Sequence, residues 1–282
     1  LPELPEVEYA RRQLHRAMAG ARITRVLTRR PNLRYAFQPD FATRLEGQEV
    51  RGVARRAKYL LVELASGDAL LMHLGMSGSF RVLRAGREVT RRPYYYYDVD
   101  RLEAHDHVVF ELSNGAVVVF NDPRRFGFMT VLAPDEIGTH AALGKLGPEP
   151  LGRGFDAAAL AGELAGRKTS LKLALLDQRV ISGLGNIYVS EALHRARLSP
   201  RRKASTLVTK SGEPRPVVAD LVDKIKETLR HAISNQHRTG ADDRFLVYDR
   251  EGQPCPRRGC PGIIRRIVQG GRSTFFCPVC QK

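Results

Sequence analysis

The chain has 282 residues, 43% of them hydrophobic, and a formal net charge of +16. That length holds one large core or two ordinary domains, and that apolar content excludes a disordered chain. No apolar run reaches the ~18 residues of a membrane span and no signal peptide precedes Pro2, so the chain reads as soluble and intracellular. The excess of 46 Lys and Arg over 30 Asp and Glu favours a polyanion partner, because phosphate contacts release condensed counterions. A basic but otherwise ordinary enzyme is the competing reading.

Leu1-Pro2-Glu3-Leu4-Pro5-Glu6-Val7-Glu8 opens the chain. A proline near a chain start can present a secondary amine, and a neighbouring carboxylate can move protons. Such an amine forms an iminium ion with a sugar carbon without an extra deprotonation. The plainer reading is a helix start, with Pro5 in the first turn and acidic residues at the positive helix end. Val7, Ala10, Leu14 and Ala17 continue at helical spacing over 5–19, and Gly20 stops the run.

From Ala21 to Ala133 the pattern predicts strands at 23–27, 59–64, 69–72, 108–112 and 116–120. Asn114-Gly115 marks a hairpin between the last two. Strands so closely linked predict an antiparallel sandwich packed by the first helix. Tyr94 to Tyr97 sit in an irregular stretch, read as a loop, although tyrosines can also stack on bases. Gly147-Pro148-Glu149-Pro150 punctuates a boundary. Helices are predicted at 155–166, 170–180, 187–197 and 215–235, the last with Val218, Leu221, Val222, Ile225 and Leu229 on one face.

Three motifs can carry chemistry. Cys255, Cys260, Cys277 and Cys280 form two close pairs that can supply the four thiolates of a structural Zn2+. Two disulfides or free thiols are the alternatives. A predicted hairpin between the pairs puts Arg272 at its tip, within reach of a phosphate. In the second motif, residues 171–178 lead to Gly183-Leu184-Gly185-Asn186-Ile187-Tyr188. Thr169 can cap the first helix, and the glycines permit a tight turn whose following helix start, with the Asn186 amide, offers an anion site. An ordinary helical hairpin accounts for it equally. The third motif is Asn121-Asp122-Pro123-Arg124-Arg125-Phe126-Gly127, with His73-Leu74-Gly75-Met76-Ser77-Gly78 upstream. Arg124, Phe126 and Met76 could enter a duplex as a wedge; core Met and Phe beside surface arginines is the other reading.

Taken together and in this order, these residues resemble the formamidopyrimidine-DNA glycosylases, over nearly the whole chain. The resemblance implies an α+β fold. An N-terminal helix and antiparallel β-sandwich would occupy 1–134, a linker 135–150, a helix–two-turn–helix DNA-binding domain 151–240 and a zinc-finger hairpin 241–282. It implies one structural Zn2+ and no organic cofactor, damaged double-stranded DNA as partner, a monomer, and a cytoplasmic, nucleoid-associated location. By the same resemblance Pro2 is the nucleophile at C1′, Glu3 a proton donor, and Lys58 the proton-transfer group of β-elimination. Arg272 would serve δ-elimination. Met76, Arg124 and Phe126 would fill the space left by the extruded nucleotide. Phosphate contacts map onto Lys58, His73, His105, Arg124, Lys168, Lys172, Asn186 and Arg272. Bifunctional glycosylase and abasic-site lyase activity on oxidised purines (formamidopyrimidines and 8-oxoguanine) is the implied function.

Two departures qualify it. Leu1 stands where the family has a removable methionine, and a Leu1–Pro2 amide would abolish the nucleophile. A start codon translated conceptually as leucine, or a catalytically silent damage-binding protein, are the two accounts. The segment 234–243 is shorter than the family's lesion-covering loop, which predicts weaker excision of 8-oxoguanine than of ring-opened purines or abasic sites. An oxidised-pyrimidine glycosylase of the endonuclease VIII type and a zinc-dependent RNA-binding protein are the remaining rivals. The Arg124–Phe126 pair argues against the first, and a duplex-entering wedge against the second.

Overall fold

A computed structural model describes residues 2–90, 102–235 and 245–282. The expectations for Leu1, for Tyr94 to Tyr97 and for most of 234–243 fall outside them. The chain forms two compact units, 1–144 and 145–282.

The first unit begins with helix α1 (Leu4–Met18). Pro5 occupies its first turn, where a missing N–H costs nothing, and Glu6 Oε2 accepts the Glu3 backbone N–H at 2.8 Å. Its inner face, Leu4, Val7, Leu14, Ala17 and Met18, is almost wholly buried. Among the described residues nine strands follow: β1 (Ile23–Thr28), β2 (Val50–Arg56), β3 (Tyr59–Leu64), β4 (Ala69–His73), β5 (Ser79–Arg84), β6 (Arg87–Glu88), β7 (Asp106–Leu112), β8 (Ala116–Asn121) and β9 (Phe128–Leu132). A short helix α2 (Phe41–Leu45) lies between β1 and β2. All pairings are antiparallel, in two sheets ordered β1-β7-β8-β5-β6 and β2-β3-β4-β9. Inward residues of both sheets and α1 share one core that includes Val53, Leu60, Val62, Leu70, Phe80, Val108, Phe110, Val118 and Phe120. The predicted sandwich is therefore present, and the Asn114-Gly115 hairpin closes with Gly115 at φ 75°.

Residues 135–144, expected as linker, pack with the first unit instead. Helix α3 (Pro134–Ile137) and the turn after it bring Ile137, Ala142 and Leu143 onto Leu61, Ala69, Leu71 and Leu132. These apolar side chains cover the outer face of the four-stranded sheet, which would otherwise meet water.

The second unit contains α4 (Ala157–Leu164), α5 (Leu171–Leu176), α6 (Asn186–Arg195) and α7 (Pro216–Ser234), then the hairpin β10 (Arg265–Gln269) and β11 (Arg272–Phe276). On α7, Val218, Leu221, Val222, Ile225 and Leu229 are buried, the face read from the sequence. The hairpin belongs to this unit rather than standing apart. Gly270, at φ 55°, lies so close to Leu173 of α5 that an added Cβ would sit 2.8 Å from Leu173 Cδ2. No described helix is long and apolar enough to cross a membrane.

Candidate active site and nucleic-acid interface

Pro2 is buried immediately ahead of α1, and Glu3, 2% exposed, is the N-cap residue of that helix. Lys58 occupies the two-residue turn between β2 and β3, after Ala57 at φ 54°. An alanine in the left-handed region costs about 1–2 kcal/mol, so surrounding bonds must hold the turn. Arg55 supplies them: its guanidinium donates to Ala57 O at 2.9 Å and to Glu8 Oε2 of α1 at 3.3 Å. The turn bearing Lys58 is thereby tied to the helix that follows Pro2. Burial pushes the Glu8 carboxyl up, but hydrogen bonds from Arg11 and Arg12 outweigh it and hold Glu8 below its ordinary range.

The His73–Gly78 and Asp122–Gly127 loops meet backbone to backbone. A Cβ on Gly75, at φ 63°, would fall 2.3 Å from the Phe126 carbonyl carbon, so only glycine permits the approach. Asp122, fully buried, is the centre of this junction. Its Oδ1 accepts from Ser77 Oγ at 2.5 Å and its Oδ2 from Gly127 N–H at 2.8 Å. Its backbone N–H donates to His105 O at 3.0 Å, and Ser77 Oγ accepts the Arg124 N–H at 3.2 Å. Asp122, through its carboxylate, its backbone N–H and the Ser77 hydroxyl it holds, thus orders the segments that carry Met76, His105, Arg124 and Phe126. Phe126 is 42% exposed, with the Arg124 guanidinium 4.7 Å above its ring. A phenylalanine that far out of the core, beside an open groove of about 440 Å³ lined by Asn32, Leu33, Arg34, Arg124 and Arg125, contradicts the reading of Phe126 as core.

His73 Nδ1 accepts the Gly75 N–H at 3.0 Å, and the ring stacks on Phe128 at 5.7 Å. Burial first, then the charges of Lys58 and Arg34, push the His73 pKa down to about 4. At neutral pH the imidazole is therefore uncharged with its proton on Nε2, a hydrogen-bond donor and not a cation.

In the second unit, Gln178 pins the turn into α6. Its Oε1 accepts Gly183 N–H at 2.9 Å and its Nε2 donates to Leu184 O at 2.8 Å. Gly185 then caps α6, and the Asn186 amide donates to Ser273 O of β11 at 2.8 Å. Lys168 and Arg272 are exposed. Lys172 departs from expectation. It is fully buried, and its ammonium donates to Thr274 Oγ1 at 2.6 Å and Ser273 O at 3.2 Å. Its position on the inner side of α5 turns it towards β11, so it braces the hairpin instead of meeting a phosphate.

The four cysteine sulfurs lie within 4.8 Å of one another. Cys255 and Cys280 approach to 3.8 Å, Cys260 and Cys277 to 3.7 Å. Disulfide sulfurs would be ~2.05 Å apart, so neither pair is bridged. Tetrahedral Zn2+ with bonds of ~2.3 Å requires sulfurs ~3.8 Å apart, the spacing of these two pairs. The arrangement fits one structural zinc with no open position.

Sequence reasoning did not single out Ser77, Arg55, Gln178, Glu191 or His194. Ser77 lay inside a noted motif, but its hydroxyl contact to Asp122 spans 45 positions. Glu191 is 3% exposed and accepts the backbone N–H groups of Leu246, Val247 and Tyr248 at 2.8, 2.9 and 2.9 Å. Burial raises its pKa, the three N–H donors opposing that rise.

Comparison with known proteins places this architecture. Residues 1–129 match the formamidopyrimidine-DNA glycosylase N-terminal domain, 146–243 the helix–two-turn–helix domain of the same enzymes, and 252–282 the zinc finger found in them and in isoleucyl-tRNA synthetase. Formamidopyrimidine-DNA glycosylases of Rhodopseudomonas palustris strain BisB18 and Bradyrhizobium sp. strain ORS 278 are 58% and 56% identical, over the full length of both chains in each case. A Lactococcus lactis formamidopyrimidine-DNA glycosylase, solved non-covalently bound to DNA with an abasic site, covers all of both chains at TM-score 0.83 and 30% identity. MutM in complex with DNA containing carbocyclic 8-oxoguanine covers both fully at TM-score 0.82 and 30% identity. The chain, with its sandwich, helix–two-turn–helix unit and zinc hairpin in that order, belongs to the formamidopyrimidine-DNA glycosylase family.

Proposed function

We propose that this protein is a bifunctional glycosylase and abasic-site lyase that removes oxidised purines from duplex DNA through a free Pro2 amine. The observation that carries the reading is the Asp122 junction, which holds an exposed Arg124–Phe126 stack against the Met76 loop. Such a cluster suits the space left when a nucleotide is extruded, an extrusion that costs a few kcal/mol. The Lactococcus lactis and MutM relatives were solved on DNA with abasic or 8-oxoguanine sites, which supports DNA as the partner here.

The Pro2 nitrogen attacks C1′ as the C1′–N bond to the base breaks, with the electron pair leaving on the base. Loss of the amine proton and opening of the sugar, assisted by Glu3, yields an iminium ion between Pro2 and C1′. Lys58 takes part in removing the 2′ proton as the C3′–O bond breaks with its electron pair leaving on the 3′ phosphate. Loss of the C4′ proton then drives a second elimination in which the C5′–O bond breaks and its pair leaves on the 5′ phosphate, assisted by Arg272. Water then releases the sugar remnant, leaving a one-nucleotide gap. The Lys58 ammonium disfavours protonation of a nearby Pro2 amine, because like charges repel.

Phosphate grip divides by charge in this reading. Arg124, Lys168 and Arg272 act as cations, His73 and Asn186 as neutral donors, and His105 stands on the turn held by Asp122. Incubation of a duplex carrying a single formamidopyrimidine site tests the proposal. A gap bounded by phosphates on both sides is expected, and base release without strand scission would reject the lyase half. Equal rates on 8-oxoguanine, formamidopyrimidine and abasic sites would reject the expectation that the segment 234–243 weakens 8-oxoguanine excision.

A further inference from the structure

The zinc site is ordinarily defined by its four cysteines, yet a fifth side chain reaches it from another element. His194, near the end of α6, is 2% exposed, and its Nε2 lies 3.4 Å from Cys255 Sγ. Backbone N–H groups within the cysteine loops also serve the sulfurs, that of Arg257 at Cys255 and those of Val279 and Cys280 at Cys277. His194 stands 61 positions from the thiolate it faces.

We propose that His194 donates an Nε2–H hydrogen bond to the zinc-bound Cys255 thiolate and so sets the metal affinity from the DNA-binding helix. A metal-bound thiolate carries no proton, so the nitrogen facing it can interact favourably only as a donor. This holds for the neutral ring and for the charged one alike, and in the neutral ring it leaves the lone pair on Nδ1. Four thiolates around Zn2+ carry a net charge of −2, and a buried N–H donor disperses part of it.

The rest of α6 explains why the donor comes from here. Asn186, Glu191 and His194 reach the zinc module at three levels: Ser273 O, the amides of residues 246–248, and Cys255. Eight residues separate Asn186 from His194, about 12 Å along a helix. Arg257 of the module closes the lower end by donating to His194 O at 2.7 Å. The helix that presents Asn186 is thus part of the metal's own surroundings.

The test uses the full-length protein. With 113Cd2+ in place of zinc, one histidine Nε2–H proton should show scalar coupling to the metal through the hydrogen bond, and that histidine should be His194. A His194 proton found on Nδ1, with no coupling, overturns the proposal. Independently, His194→Phe should raise the zinc dissociation constant about tenfold in competition with a chromogenic chelator, the lower end for partners of metal ligands. His194→Gln, whose amide N–H reaches similarly, should restore most of the loss. A Phe variant that holds zinc as tightly as the parent would also overturn it. The cadmium spectrum of the unaltered protein decides the question if the Phe variant does not fold.

Discussion

The Asp122 junction and the α6–hairpin junction both order residues proposed to contact DNA, but by different physics. The first rests on a sandwich core of interdigitated apolar side chains, and its loops meet through glycines and one buried carboxylate. The second closes over a small cluster, Val247, Cys255, Ile264, Phe275 and Cys277, and relies on side-chain hydrogen bonds and a metal. A small cluster cannot offset the conformational entropy of ordering its chain without a further constraint. The two surfaces should therefore fail independently and under different insults.

Zinc removal should give the largest difference. Stripping the metal, or Cys277→Ser, removes a contribution on the order of 10 kcal/mol for structural zinc. Circular dichroism and heat denaturation should show the sandwich transition retained while DNA binding is lost. Simultaneous loss of both units would erase the distinction. Burial pushes the Cys255 thiol up to about 12, so zinc uptake must displace protons and its apparent affinity should fall as pH is lowered.

Asp122→Ala attacks the other junction. It strands the Ser77 hydroxyl and the Gly127 N–H inside the protein, at about 1–3 kcal/mol each. The sandwich melting temperature should fall, with zinc content unchanged. A loss of zinc with an unaltered sandwich transition would contradict the assignment.

Lys172→Met separates a buried brace from a phosphate contact. Removing a buried ammonium that braces β11 should loosen the hairpin by about 1–3 kcal/mol, measurable as faster amide exchange at Ser273 and Thr274. The slope of log affinity against log salt should stay as it was. A slope smaller by about one charge would return Lys172 to the phosphate contacts.

The smallest effects separate cations from neutral donors. Arg272→Ala should flatten the salt slope by about 0.9, whereas Asn186→Ala should weaken binding without changing it. His73 belongs with Asn186. Because its folded pKa is about 4 and its ordinary value 6.5, the unfolded chain binds the proton first as pH falls. Stability therefore drops between pH 6.5 and 4 and is flat above. His73→Gln should remove part of that drop; a pH dependence centred above 7 would show a charged His73 instead.

What was legible in the sequence followed periodicity. The α1 and α7 faces, strands β3, β4, β7 and β8, and the cysteine hairpin all announced themselves through spacing and turn residues. Strand β2 did not, because Arg51, Arg55 and Arg56 interrupt its apolar alternation. The charge of Arg55 is absorbed by Glu8, a partner 47 positions away. Strand β5 was hidden by its neighbour motif, and β9 by the short apolar run after Gly127. Side-chain fate was harder still. Lys172 looks like any lysine one residue after a helix start, and its acceptors lie about a hundred positions later. Met76, Arg124, Phe126, Asn186 and the cysteines were readable as motifs, whereas Lys58, His105 and Lys168 came only from the resemblance. The contacts that hold these residues, such as Ser77 to Asp122 across 45 positions, were not readable.

The central claim is that Pro2 reacts. Borohydride reduction of the protein on an abasic-site duplex, followed by proteolysis and mass spectrometry, locates the trapped sugar. With Pro2 verified as the first residue, the account predicts the remnant on the Pro2 nitrogen. A remnant on Lys58, or no adduct at all, would contradict it.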